Sequence, residues 1–67
     1  MNKLAERLKY LREEEKLNQR ELAKKLNVSQ PAIARWETNK TIPNADMVVA
    51  IAKYFKVSTD YLLGLED

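Results

Sequence analysis

Apolar residues recur along this chain at the three- and four-residue spacings of amphipathic helices. Leu4, Leu8 and Leu11 mark one face of a segment running from about Asn2 to Glu15. Leu22, Ala23 and Leu26 mark a second segment over 19–26, and Ile33 and Trp36 a third over 30–38. Val48, Ile51, Ala52 and Phe55 mark a fourth over 45–55, and a last turn or two covers 59–63. The pattern predicts an all-α fold, a compact bundle of five helices.

The polar positions say where these helices start. Leu17-Asn18 is followed by Leu22, Val28-Ser29 by Ile33, and Val57-Ser58 by Leu62. Each unit has an apolar residue, a capping residue, and a second apolar residue five positions after the first. That is the spacing of a hydrophobic staple across an N-cap. Asn18, Ser29 and Ser58 can each accept a bond from a first-turn N–H. Glu21 completes an Asn version of the capping box. Asn44 offers a fourth start, with Asp46 where the helix dipole favours an anion.

The helix ends are less usual. The chain has one glycine, Gly64, placed to stop the last helix. Asn27 and Asn39 suit the left-handed conformation, whereas Lys16 and Lys56 fall at the other two ends. A positive φ would cost each lysine about 1 kcal/mol relative to glycine.

At 67 residues the chain is long enough for one domain, read as 1–67. Its core supplies only about 3–5 kcal/mol by itself. The absence of cysteine and histidine excludes disulfides, the usual zinc sites and Ser-His or Cys-His catalysis. Glu13, Glu14 and Glu15 follow one another on a helix end and form no converging acid/base pair. No enzyme, cofactor, metal or small-molecule ligand is expected. The longest apolar run, Met47 to Ala52, falls far short of the roughly 20 residues that span a bilayer. The charged N-terminus has no apolar region of a secretory signal. We expect a soluble cytoplasmic protein with no membrane partner.

Charge separates along the chain more than its net +2 suggests. Residues 1–15 are neutral overall, residues 16–40 carry +4 and residues 41–67 carry −2. The positive excess therefore lies on the second and third helices. It suits a polyanion there, and equally an ordinary solvated surface.

Those two helices are short and separated by Asn27-Val28-Ser29, the spacing of a helix-turn-helix whose second helix enters the major groove. Gln30, Pro31, Ala32 and Arg35 lie away from Ile33 and Trp36. Pro31 costs nothing in a first turn, and with Ala32 it leaves room to approach base edges. Gln30 can pair bidentately with adenine and Arg35 with guanine; Ala32 can touch a thymine methyl. The same pattern also fits a small bundle that uses a partly apolar helix for protein contacts.

The runs NQRELAKKLNVSQPAIARWE, IPNADMVVAIAKYF and VSTDYLLG together resemble the Xre/Cro/CI family of helix-turn-helix regulators, with their phage-repressor-like domains. The resemblance extends from about Leu8 to Gly64. It implies a DNA-binding bundle of the phage-repressor type. It assigns Ser29, Gln30, Pro31, Ala32 and Arg35 to base reading. Asn18, Gln19, Asn39, Lys40 and Thr41 then meet phosphates, with Gln19 also buttressing the start of the third helix. Arg12 and Glu37 match a partly buried salt bridge of the scaffold, and Trp36 matches a core position. The family usually has glycine where this chain has Lys16, Asn27, Asn39 and Lys56. Pro31 is uncommon at its position and removes one side-chain hydrogen bond from the reading surface.

Family members usually bind as two-fold dimers on half-sites one helical turn apart. Met47, Val49, Tyr54, Tyr61 and Leu65 remain after the core is filled, and they are candidates for a homodimer contact. Scattered surface apolar residues would look the same. The resulting expectation is a repressor that binds a palindromic operator in double-stranded DNA. An antitoxin that neutralises a toxin and regulates itself, or a restriction-modification controller, remains as an alternative.

Overall fold

Each predicted helix buries one apolar side chain completely at a shared centre. In the computed structural model, which describes residues 2–66, these are Leu8, Leu22, Ile33, Ile51 and Leu62. They belong in turn to α1 (Leu4–Glu14), α2 (Gln19–Leu26), α3 (Gln30–Glu37), α4 (Ala45–Phe55) and α5 (Thr59–Leu63). Leu4, Ala23, Trp36, Val48 and Ala52 complete the buried cluster. Leu11, Leu26 and Phe55, expected inward, pack against its edge and are only partly covered. No described helix is long and apolar enough to cross a membrane.

The caps act where their residue types place them. Asn18 accepts from the Glu21 N–H, and Glu21 Oε1 accepts from the Asn18 N–H, each at 2.8 Å. Ser29 accepts from Ala32, Asn44 from Met47 and Ser58 from Tyr61. Each of these bonds satisfies an N–H that has no partner inside its helix.

Every helix also ends in the same way. The N–H of Leu17, Val28, Lys40, Val57 and Leu65 bonds the carbonyl five residues back, at 2.7–3.1 Å. The residue before each adopts a left-handed conformation: Lys16, Asn27, Asn39, Lys56 and Gly64 have φ between 57° and 83°. This is the closure of a Schellman motif, achieved here mostly without glycine. It satisfies carbonyls that the last helical turn leaves open.

Three boundaries differ from the sequence reading, one of them the end of the first helix, which stops at Glu14 with Glu15 as its C-cap. The first helix starts at Leu4 rather than Asn2, because the Asn2 side chain accepts from the Leu4 N–H and the Lys3 N–H bonds Leu63 O across the fold. The third helix ends at Glu37, and Thr38 is its C-cap. The Thr38 hydroxyl donates to Ala34 O at 2.8 Å.

The short link Asn27–Ser29 crosses α3 over α2, and α3 also lies against α1. On the other side α5 closes the bundle by packing on α1 and α4. One face of α2 and α3 thereby stays uncovered at the surface. The chain leaving α5 is held by Arg7, whose guanidinium lies 4.4 Å from the centre of the Tyr61 ring. It donates to the carbonyls of Tyr61 and Glu66.

Candidate nucleic-acid interface

The uncovered face begins with the N-cap of α3. Ser29, Gln30, Pro31 and Arg35 are exposed on it. Ala32 is not: it is partly buried and packs against the core. Asn39, Lys40 and Thr41 are exposed where the chain leaves α3. The left-handed Asn39 directs that exit, and both Lys40 and Thr41 donate their N–H to Arg35 O. Lys40 is thus set beside the last turn of the helix that carries Arg35.

Asn18 and Gln19 open α2 across a groove from Gln30. Arg12, Asn18, Gln19, Arg20 and Gln30 line this open groove, whose volume is ≈ 540 Å³. The capping box occupies the Asn18 and Glu21 side chains and leaves the N–H groups of Gln19 and Arg20 without intrahelical partners. An anion is favoured at such an end. Arg20 escaped the sequence reading, although its place in the first turn of α2 within the basic segment was visible there.

A chain of side-chain bonds supports this surface from below. Arg12 donates from Nε and Nη2 to the two oxygens of Glu37, at 2.7 and 2.9 Å. Its Nη1 donates to Leu17 O at 2.8 Å. Gln19 Nε2 donates to Glu37 Oε1 at 3.1 Å, and Gln30 Nε2 donates to Gln19 Oε1 at 2.7 Å. The Arg12 and Glu37 side chains are 11% and 3% exposed, so the pair joins α1 to α3 largely out of water. No buried side-chain polar atom among the described residues lacks a partner.

The hydrogen bond from Glu37 raises the pKa of the Arg12 guanidinium. Burial opposes this, and the charges of Glu37 and Glu13 add to it. A raised folded-state pKa contributes stability below the unfolded-state value and loses it only as the pH rises through the folded value. For an arginine that lies far above neutrality, so the guanidinium keeps its charge throughout the neutral range.

The apolar residues proposed for self-association separate into two groups. Met47 and Tyr54 pack against the core, and Tyr54 meets Phe55 edge-on with ring centres 5.0 Å apart. Tyr61 lies beneath Arg7. Val49 and Leu65 are exposed, at 43% and 74%. Tyr10 and Ile42, which the sequence reading did not single out, are exposed at 55% and 62%. Ile42 follows the left-handed exit of α3, a position the helical periodicity does not cover.

Residues 8–62 match the family described as Helix-turn-helix. The chain is 42% identical over 62 residues to the HTH-type transcriptional activator BcrR of Enterococcus faecalis, covering 92% of this chain and 30% of that one. It spans 55% and 28% of the length of two further curated relatives. An HTH-type transcriptional regulator of Methanocaldococcus jannaschii is 39% identical, with 91% of this chain and 92% of the relative covered. The crystal structure of the phage P22 c2 repressor with a synthetic operator superposes with a TM-score of 0.86 at 36% identity, covering 94% of this chain and 96% of the repressor chain. The bundle is thus of the phage-repressor type. With the family match over most of its length, this chain belongs to the helix-turn-helix family of transcriptional regulators.

Proposed function

We propose that this chain binds double-stranded DNA sequence-specifically, as a dimer on a palindromic operator, and represses transcription by occupying it. The observation that carries the reading is the exposed edge of α3, with Gln30 and Arg35 facing outward between two basic flanks. Arg20 and the start of α2 form one flank, and Asn39, Lys40 and Thr41 form the other. Gln30 and Arg35 present the donors and acceptors that read purine edges in the major groove. Ser29 caps the helix at the same edge. Pro31 adds contact without a donor, and half-buried Ala32 sets how closely α3 approaches. The flanks bind phosphates and fix the register.

The similarity to an operator-bound repressor over 96% of its chain supports this reading. The site of action is then the cytoplasm, where a bacterial or archaeal cell keeps its DNA. For self-association the exposed candidates are Val49 and Leu65, whereas Met47, Tyr54 and Tyr61 are half-buried.

Arg35→Ala and Lys40→Ala distinguish reading from positioning. Arg35→Ala is expected to cost about 1–3 kcal/mol on a site selected from random duplexes and to relax the preference at one base pair. Lys40→Ala is expected to weaken all duplexes alike and to lower the salt slope by about one. Unchanged affinity of Arg35→Ala for the selected site would remove Arg35 from base reading.

A further inference from the structure

The side-chain relay beneath α3 has a direction, and that direction decides what Gln30 shows to solvent. Glu37 is a carboxylate and can only accept. It therefore turns the amide nitrogen of Gln19 towards itself, at 3.1 Å. The Gln19 oxygen is left to face Gln30, whose own nitrogen donates to it at 2.7 Å. Gln30 is exposed, and its free edge then carries Oε1 beside the remaining N–H. One acceptor next to one donor matches the N6 amino group and N7 of adenine. With the relay reversed, Gln30 would turn Oε1 inward and present two N–H groups. Two donors match O6 and N7 of guanine instead.

We propose that Glu37 determines which purine Gln30 reads, adenine rather than guanine, by fixing the direction of the Glu37–Gln19–Gln30 relay. This rests on the proposed base reading by Gln30. Glu37 is a positioning residue: its side chain is 3% exposed and acts through Gln19. Arg12 holds the carboxylate in place with two bonds, at 2.7 and 2.9 Å, so the direction starts from a fixed group.

The test uses the whole chain and the site recovered by selection from random duplexes. Gln30→Ala identifies the base pair that Gln30 reads, as the position where preference collapses. Duplexes differing only at that pair are then compared. Glu37→Gln offers an amide that can present either end, and the adenine-to-guanine affinity ratio is expected to fall roughly tenfold. Gln19→Lys retains the Arg12–Glu37 pair and offers Gln30 only donors. Gln30 must then turn its oxygen inward, and the ratio is expected to invert in favour of guanine. Because the readout is a ratio, uniform changes in stability or phosphate affinity cancel. Gln19→Lys also carries the test alone if Glu37→Gln does not fold.

Retained adenine preference in both variants, with Gln30→Ala abolishing it, overturns the role of the relay and leaves base reading intact. A base other than adenine at that position in the unmodified chain also overturns the relay. If Gln30→Ala changes preference at no base pair, base reading itself fails, and the relay inference fails with it.

Discussion

Lys56 holds φ at 59° to end α4, and Lys16 holds φ at 57° to end α1. A side chain in that region crowds the following carbonyl, which glycine avoids. Lys56→Gly is therefore expected to raise stability by about 0.5–1 kcal/mol, read as a higher urea midpoint with an unchanged slope. Gly64→Ala is the reverse experiment. At φ 83° an added Cβ would lie 2.8 Å from Lys3 Cγ and 2.9 Å from Lys3 Cβ. It is expected to cost about 1–2 kcal/mol. A neutral Lys56→Gly would mean that the stem of the lysine packs well enough to offset its backbone strain. Asn27 and Asn39 were legible as left-handed residues because a short polar side chain tolerates that conformation, and Gly64 because it has no Cβ to crowd the backbone. Lys16 and Lys56 were legible only by position, since nothing in a lysine side chain favours it.

Helix starts were the most legible elements, because a cap and its staple are complete within about six residues. Asn18, Ser29, Asn44 and Ser58 each cap the helix that follows them. Asn44→Ala is expected to cost about 1 kcal/mol, measured by thermal or urea unfolding, since the Met47 N–H loses its 2.8 Å partner. A cost near zero would show that water replaces the cap at this exposed turn. The start of α1 was misplaced for the opposite reason. The Lys3 N–H bonds Leu63 O, sixty residues away in sequence, and no local pattern reports such a bond. Ala32 was misplaced because helical periodicity gives a residue's angle around α3 but not how far the packed core covers that angle.

At the scale of the molecule, the Arg12–Glu37 pair ties α1 to α3 and underlies the candidate reading surface. Removing one partner leaves a buried charge uncompensated. Arg12→Met is thus expected to cost about 3–5 kcal/mol, comparable to the whole stability of so small a core. Arg12→Met with Glu37→Leu is expected to recover most of that loss in the same unfolding assay. Additive losses in the double variant would show that the pair contributes more than its mutual neutralisation. Self-association is tested by sedimentation with a palindromic duplex: two chains per duplex are expected, and fewer with Leu65→Asp. One chain per duplex would exclude the proposed dimer.

The sequence by itself determined the five helices, their caps and the residues that fill the centre. Helical spacing, staples and left-handed ends are local, and each is written in a few consecutive side chains. It also marked Gln30 and Arg35 as outward, because periodicity alone separates them from Ile33 and Trp36. The family resemblance already paired Arg12 with Glu37 and set Gln19 under the start of the third helix. Only the tertiary structure decided that Gln19 and Gln30 join that pair as consecutive links, since the four come from three different helices and meet only when α1, α2 and α3 pack. It also half-covered Tyr61 beneath Arg7 and left Leu65 exposed, because the docking of α5 on α1 sets which apolar side chains find cover. Around Leu17 to Trp36, then, the helices are local in origin, and the direction of the hydrogen bonds behind Gln30 comes from the fold.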